Sequence, residues 1–204
     1  PAALEIPSGN VATVKSGNRS SLSGSITGAG TLVYVAESSV SRADIKGATA
    51  AFAGNVNFTG GGGVRLFYVG GSFNGFDNAN LDVGGSVNLQ PQTNSFGNTL
   101  NIGSLSGSSP SAILAGGTAG SPAYVVGSKG TSTTFAGSIT GNATFTKIGA
   151  GKLILTGNSN YTGMTTVNAG ALQVDGTLGN TFVELWNSGT TLAGSGTIGS
   201  SSGG

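Results

Sequence analysis

Side chains able to do chemistry are few in this 204-residue chain, which has no cysteine and no histidine. Thiolate chemistry and disulfides are therefore unavailable, and so is the imidazole base of a serine nucleophile. The commonest zinc and iron ligands are missing too. Seven acids remain: Glu5, Glu37, Asp44, Asp77, Asp82, Asp175 and Glu184. They are dispersed, and no spacing pairs two carboxylates for acid–base work. Arg65 with Asp77 and Asp82 comes nearest to a calcium-assisted lyase set, with the arginine as base. Solvated loop charges explain the same residues more simply. Asp77, Asn78 and Asp82 also alternate oxygen ligands as a calcium site does, against the simpler reading of an Asx turn leading into a strand. No other cofactor is implied, and the chain reads as a non-enzyme.

Binding chemistry is better supplied. In Thr181–Trp186, alternation turns Val183 and Leu185 inward and Glu184 and Trp186 outward. The single tryptophan then offers a flat apolar platform, unless it covers an end of the fold. By the same count Val64, Leu66 and Tyr68 face inward, while Arg65 and Phe67 face out. Phe73, Asn74 and Phe76 follow in a Gly/Asn-rich stretch, and Gln90 and Gln92 add amides. Aromatic faces stack on sugar C–H faces, and amides bond glycan hydroxyls. A satellite cluster under a long loop is the plainer account of the same aromatics. Low charge suits a neutral polysaccharide. The net charge of +1, from scattered basic residues, argues against nucleic acid. No apolar stretch reaches the length of a membrane helix. Thr131/Thr133 and Thr144/Thr146 do not recur at coil spacing, against a flat ice-binding array.

The elements that must position these residues are strands. Helical periodicity is absent, and short alternating runs are separated by Gly and Asn. The chain holds 39 glycines, but 37% of it is hydrophobic, too much for a disordered segment. Gly149–Val174 holds three short runs with turns between them, the pattern of one solenoid coil, which cannot bury its own apolar face and must stack on copies of itself. SLSGSITGAGTL at 21–32 is echoed by TFAGSITGNATF at 134–145, and looser copies place glycines at 24, 54, 84, 107, 137, 163 and 194. These spacings predict seven or eight coils and a length of about 35 Å at ~4.8 Å per layer. Leu32, Phe52, Leu66, Leu81, Leu100, Phe135, Leu153, Leu172 and Leu192 are the expected interior ladder. Gly60–Asn98 breaks the pattern, with a strand expected at 81–89, and is the expected site of projecting functional loops.

GAGKLILTGNSNYTGMTTVNAGALQV resembles the repeat of bacterial autotransporter passenger domains, and also that of solenoid modules appended to secreted polysaccharide-degrading enzymes. The pattern is G-x-G-x-L-x-L-x-G-x-N-x-Y-x-G-x-T-x-V-x-A-G-x-L-x-V, and Met164 is the main departure. The resemblance implies an all-β, single-domain parallel β-solenoid, a right-handed β-helix, over 1–198, with a Gly/Ser linker tail at 199–204. It implies an extracellular or cell-surface bacterial location in a longer secreted protein. The function expected from it is a non-catalytic carbohydrate-binding module holding a xylan-like polysaccharide for a neighbouring catalytic domain. The alternative is a structural or adhesive stalk segment of an autotransporter passenger.

Overall fold

The computed structural model describes residues 2–17, 20–37, 43–46, 49, 51–66, 75–91, 99–116 and 120–199. It is a parallel β-solenoid of about eight turns, and every strand pairing is parallel. No helix is present among the described residues.

Each turn visits three faces in a fixed order. On the first face Leu4–Ile6 pairs with Ile26–Gly28, and Gly28 bridges to Phe52. Further along, this face carries Thr99–Ile102, Ala123–Val126, Thr144–Lys147, Thr165–Val167 and Val183–Leu185. The second face begins with Val11–Ser16, Thr31–Ala36 and Asn55–Gly60. After Asn80–Val83 and Ser104–Ser106 it continues as Thr133–Phe135, Lys152–Leu155, Ala171–Val174 and Thr191–Ala193. The third face runs from Ser21–Leu22 through Gly63–Leu66, Asn88–Pro91, Ile113–Leu114 and Ser138–Ile139. Asn158–Ser159, Thr177–Leu178 and Thr197–Ile198 complete it.

Two strands run around the corner between the first and second faces. In Thr99–Ser106, residues 99–102 pair with 123–126, while 104–106 pair with 80–82. The register shifts between Ile102 and Ser104. Gly103 sits at that bend, where an added Cβ would lie 2.4 Å from the Ala79 carbonyl oxygen. This bulge lets one hydrogen-bonded ladder serve two faces.

Interior rows follow from the period of two. On the second face Leu32, Val56, Leu81 and Leu105 form one row, and Tyr34, Phe58 and Val83 form the next. All seven are buried. Gly107 continues the latter row, where an added Cβ would lie 2.3 Å from the Val83 carbonyl oxygen and 3.2 Å from the Phe135 ring. Val64, Leu89, Leu114 and Ile139 line the third face, none of them exposed. Every expected ladder residue is buried except Leu192, which is 37% exposed because it lies on the last coil.

Three sequence expectations change. Successive coils differ by 24 or 25 residues across Thr31, Asn55, Asn80 and Ser104, and by 19 or 20 near the C-terminal end. The glycine spacings overstate this length because those glycines occupy different corners: Gly24 follows a third-face strand, Gly54 precedes a second-face strand, and Gly84 follows one. The echoed segments likewise fall on different faces, Ile26 on the first and Ile139 on the third. What recurs is one strand–glycine–strand side, not a whole coil. Finally, 76–83 is one continuous strand and 88–91 another, separated by a turn at Gly85, where a strand was expected at 81–89.

Candidate functional site

The fixed positions of the repeat are explained by close approach between coils. Gly137, Gly157, Gly176 and Gly196 stack at one corner. An added Cβ at Gly157 would lie 2.2 Å from the Gly137 carbonyl oxygen, at Gly176 2.2 Å from that of Gly157, and at Gly196 2.1 Å from that of Gly176. No side chain fits there. At the next corner Tyr161 is fully buried, and its hydroxyl meets Thr165 Oγ1. Thr165 Oγ1 lies 2.8 Å from Thr181 Oγ1, which donates to the Gly163 carbonyl at 2.6 Å. Burial pushes the Tyr161 phenol up to about 12, and the two threonine hydroxyls only partly offset this. Tyr124 is also raised by burial, and its hydroxyl donates to the Ala115 carbonyl at 2.7 Å.

Two further arrangements were not read from the sequence. Thr31, Asn55, Asn80 and Ser104 form an external hydrogen-bonded row. Asn80 Nδ2 donates to Asn55 Oδ1 at 2.8 Å, and Ser104 Oγ donates to Asn80 Oδ1 at 2.7 Å. Lys147 points inward, in register with Val126 and Val167, and is 1% exposed. Alternation from Phe145 was the available signal for it, overridden by the habit of placing lysine outside.

The C-terminal coil offers an open edge. Val183–Leu185, Thr191–Ala193 and Thr197–Ile198 each end a ladder. Leu185 faces the interior row of Val167 yet is 47% exposed, since nothing described stacks on it. Beside it, Phe182 and Trp186 are 66% and 63% exposed.

The residues singled out from sequence do not gather into one place. Trp186 is exposed as expected, on the last coil. Arg65 is on the third face, in register with Asp44 and Gln90, whereas Asp82 is on the second. Asp82 accepts from Ser106 Oγ at 3.0 Å. The lyase-like set of Arg65, Asp77 and Asp82 is therefore not assembled. Phe76 is buried and packs edge-on to Phe58, with ring centroids 6.4 Å apart. Gln90 donates its amide to the Gly116 carbonyl at 2.7 Å. Phe67, Phe73, Asn74 and Gln92 lie outside the described residues. Asp77 and Asp82 lie on opposite sides of the corner in one strand, Asp77 next to first-face Phe76 and Asp82 on the second face, and no cluster of three metal-ligating side chains forms among the described residues. The Asn78 carbonyl accepts from the Lys129 ammonium at 3.1 Å, which sets a positive charge where calcium would sit.

Residues 145–174 match the passenger-associated transport repeat. The chain is 46% identical over 69 residues to the adhesin BmaC autotransporter of Brucella suis biovar 1 (strain 1330), covering 33% of this chain and 2% of that protein. It is 48% identical over 62 residues to an extracellular serine protease of Serratia marcescens, covering 30% of this chain and 6% of that one. The chain thus spans a small fraction of the curated relatives it matches. No solved structure matches it. These findings overturn the expected carbohydrate-binding module: the matching repeat and relatives point to an autotransporter passenger, and nothing among them binds polysaccharide by name. What residues 145–174 carry is the autotransporter-type solenoid repeat.

Proposed function

We propose that this chain is a non-catalytic structural segment of an autotransporter passenger, held outside the bacterial cell as a stiff spacer. The observation that carries the reading is the repeat match at 145–174, together with a similarity to a named adhesin autotransporter. The build of the molecule supports it. Backbone groups are spent on pairing between coils, and the outer side chains of the second face bond to one another. A spacer needs this cumulative neighbour-to-neighbour stability. The serine protease relative does not shift the reading, because this chain has no histidine to activate a serine.

The test is made in the full-length parent protein displayed on cells. Deleting this segment weakens adhesion to the parent's target, and substituting an equal number of coils from an unrelated passenger restores it. Restoration by this sequence alone would show the segment to be the adhesive element itself, and overturn the spacer reading.

A further inference from the structure

The interior charge at Lys147 is a feature that a spacer does not require. The lumen around it is apolar, with Val126 and Val167 as its neighbours in the interior row. Its Nζ donates to the carbonyl oxygens of Ile148 at 2.6 Å, Gly149 at 2.8 Å and Ala169 at 3.3 Å. Among the described residues no carboxylate joins them, so carbonyl dipoles alone offset the charge. Two of these oxygens belong to the corner that follows Lys147, and the third comes from the next coil. Gly149 takes a positive φ of 71° there, which turns its carbonyl toward the site. Converging backbone carbonyls are how proteins replace the hydration of a small monovalent cation. An ammonium group uses the same oxygens through its three N–H donors.

We propose that the carbonyls of Ile148, Gly149 and Ala169 form an ammonium-type cation site, and that Lys147 fills it from within, clasping the coil at 144–155 to the coil at 165–174. Burial disfavours the ammonium and lowers the Lys147 pKa, a desolvation cost that the three carbonyls act against. The clasp requires the lysine to enter the lumen before the Ala169 corner closes over it. It therefore adds an interior link between two coils that also share ladder bonds, apolar rows and the external Lys152–Gln173 hydrogen bond at 3.2 Å.

Lys147→Ala removes the plug and leaves the three oxygens. The missing fragment corresponds to n-propylammonium, so this cation is the probe. In the 204-residue chain, Lys147→Ala is expected to melt at least 5 °C lower than the parent. Millimolar to molar n-propylammonium chloride then raises its midpoint, while tetramethylammonium chloride at equal ionic strength does not. The parent shows no such difference between the two salts. If the alanine variant does not fold, recovery of its β-sheet circular dichroism in propylammonium but not in tetramethylammonium is the equivalent result. Equal effects of the two cations would overturn the proposal. So would a Lys147→Met variant with parental melting and unchanged amide exchange from 148 to 170.

Discussion

Asn80 donates its side-chain amide to the Asn55 side-chain oxygen across one coil step, at 2.8 Å. Thr31 and Ser104 extend the row to four coils. The row stands just after the tight corner at Gly30, Gly54 and Gly103, where it ties successive second-face strands together. Asn80→Ala breaks two of its bonds at a partly exposed site, so water replaces part of the loss. A destabilisation of about 1 kcal/mol is expected. Urea denaturation with an unchanged m-value checks it.

The corner glycines make a sharper prediction. Gly157→Ala sets a methyl 2.2 Å from the Gly137 carbonyl oxygen, with backbone on the far side that cannot yield cheaply. The expected cost is about 3 kcal/mol. Gly17 is the control, because an added Cβ there meets nothing within 4 Å and no positive φ is needed. Gly17→Ala should be neutral or stabilise by about 0.5 kcal/mol through the unfolded state. Equal midpoints for the two variants would refute the stacked-corner account.

Alkaline pH should unfold the chain through its buried phenols. Tyr161 is held near 12 in the folded state against about 10 when unfolded. The raised value means the folded form keeps its proton more tightly. This contribution is full below pH 10 and disappears as pH climbs through about 12. Tyr124 acts in the same direction. Lys147, lowered by burial, has the opposite sign, and its contribution grows as pH rises toward the ordinary lysine range. Ultraviolet titration is expected to show Tyr161 and Tyr124 ionising only as the coils open. Tyr161→Phe should lower neutral stability by about 1 kcal/mol and flatten the alkaline decline.

Corner length should be adjustable between the third and first faces. Ile139 is followed by Thr140–Ala143 before the strand at Thr144, whereas residues 67–74 separate Leu66 from Gly75. The flanking strands Gly63–Leu66 and Phe76–Val83 pair with neighbours on both sides. Replacing 67–74 by Thr-Gly-Asn-Ala, the sequence that joins the same two faces at 140–143, should leave stability within about 1 kcal/mol. Loss of cooperative melting would count against this.

Much of the fold was legible because its signal is local. Alternating apolar residues with glycine between them identify strands and corners, and Leu153, Leu155 and Leu172 lie where alternation put them. Coil length was misjudged because glycine marks all three corners alike. The expectation of an Asx turn before a strand at 81–89 misses the strand's start at Phe76, because Asp77, Asn78 and Asn80 are poor strand formers, but ladder pairing on both sides outweighs that propensity. The candidate site was less legible. Trp186 is exposed on a coil where inward Leu185 is exposed as well, so counting by twos does not account for it, and the burial of Phe76 follows from tertiary packing that a count cannot supply. The expectation of polysaccharide binding rests on resemblance to a repeat that solenoids of several functions share, and on the pattern break at 60–98, neither of which carries function.

The glycine column at 137, 157, 176 and 196 also constrains how such a molecule can vary over generations. Each member rests on the backbone of the one before it, so the column admits no side chain, yet it does not fix the length of a lap: its members stand 20, 19 and 20 residues apart, while earlier laps take 24 or 25. Whole laps can be duplicated or lost, and corners away from the column lengthened, without touching it. Descendants of this chain should therefore keep this one seam while varying in both height and girth.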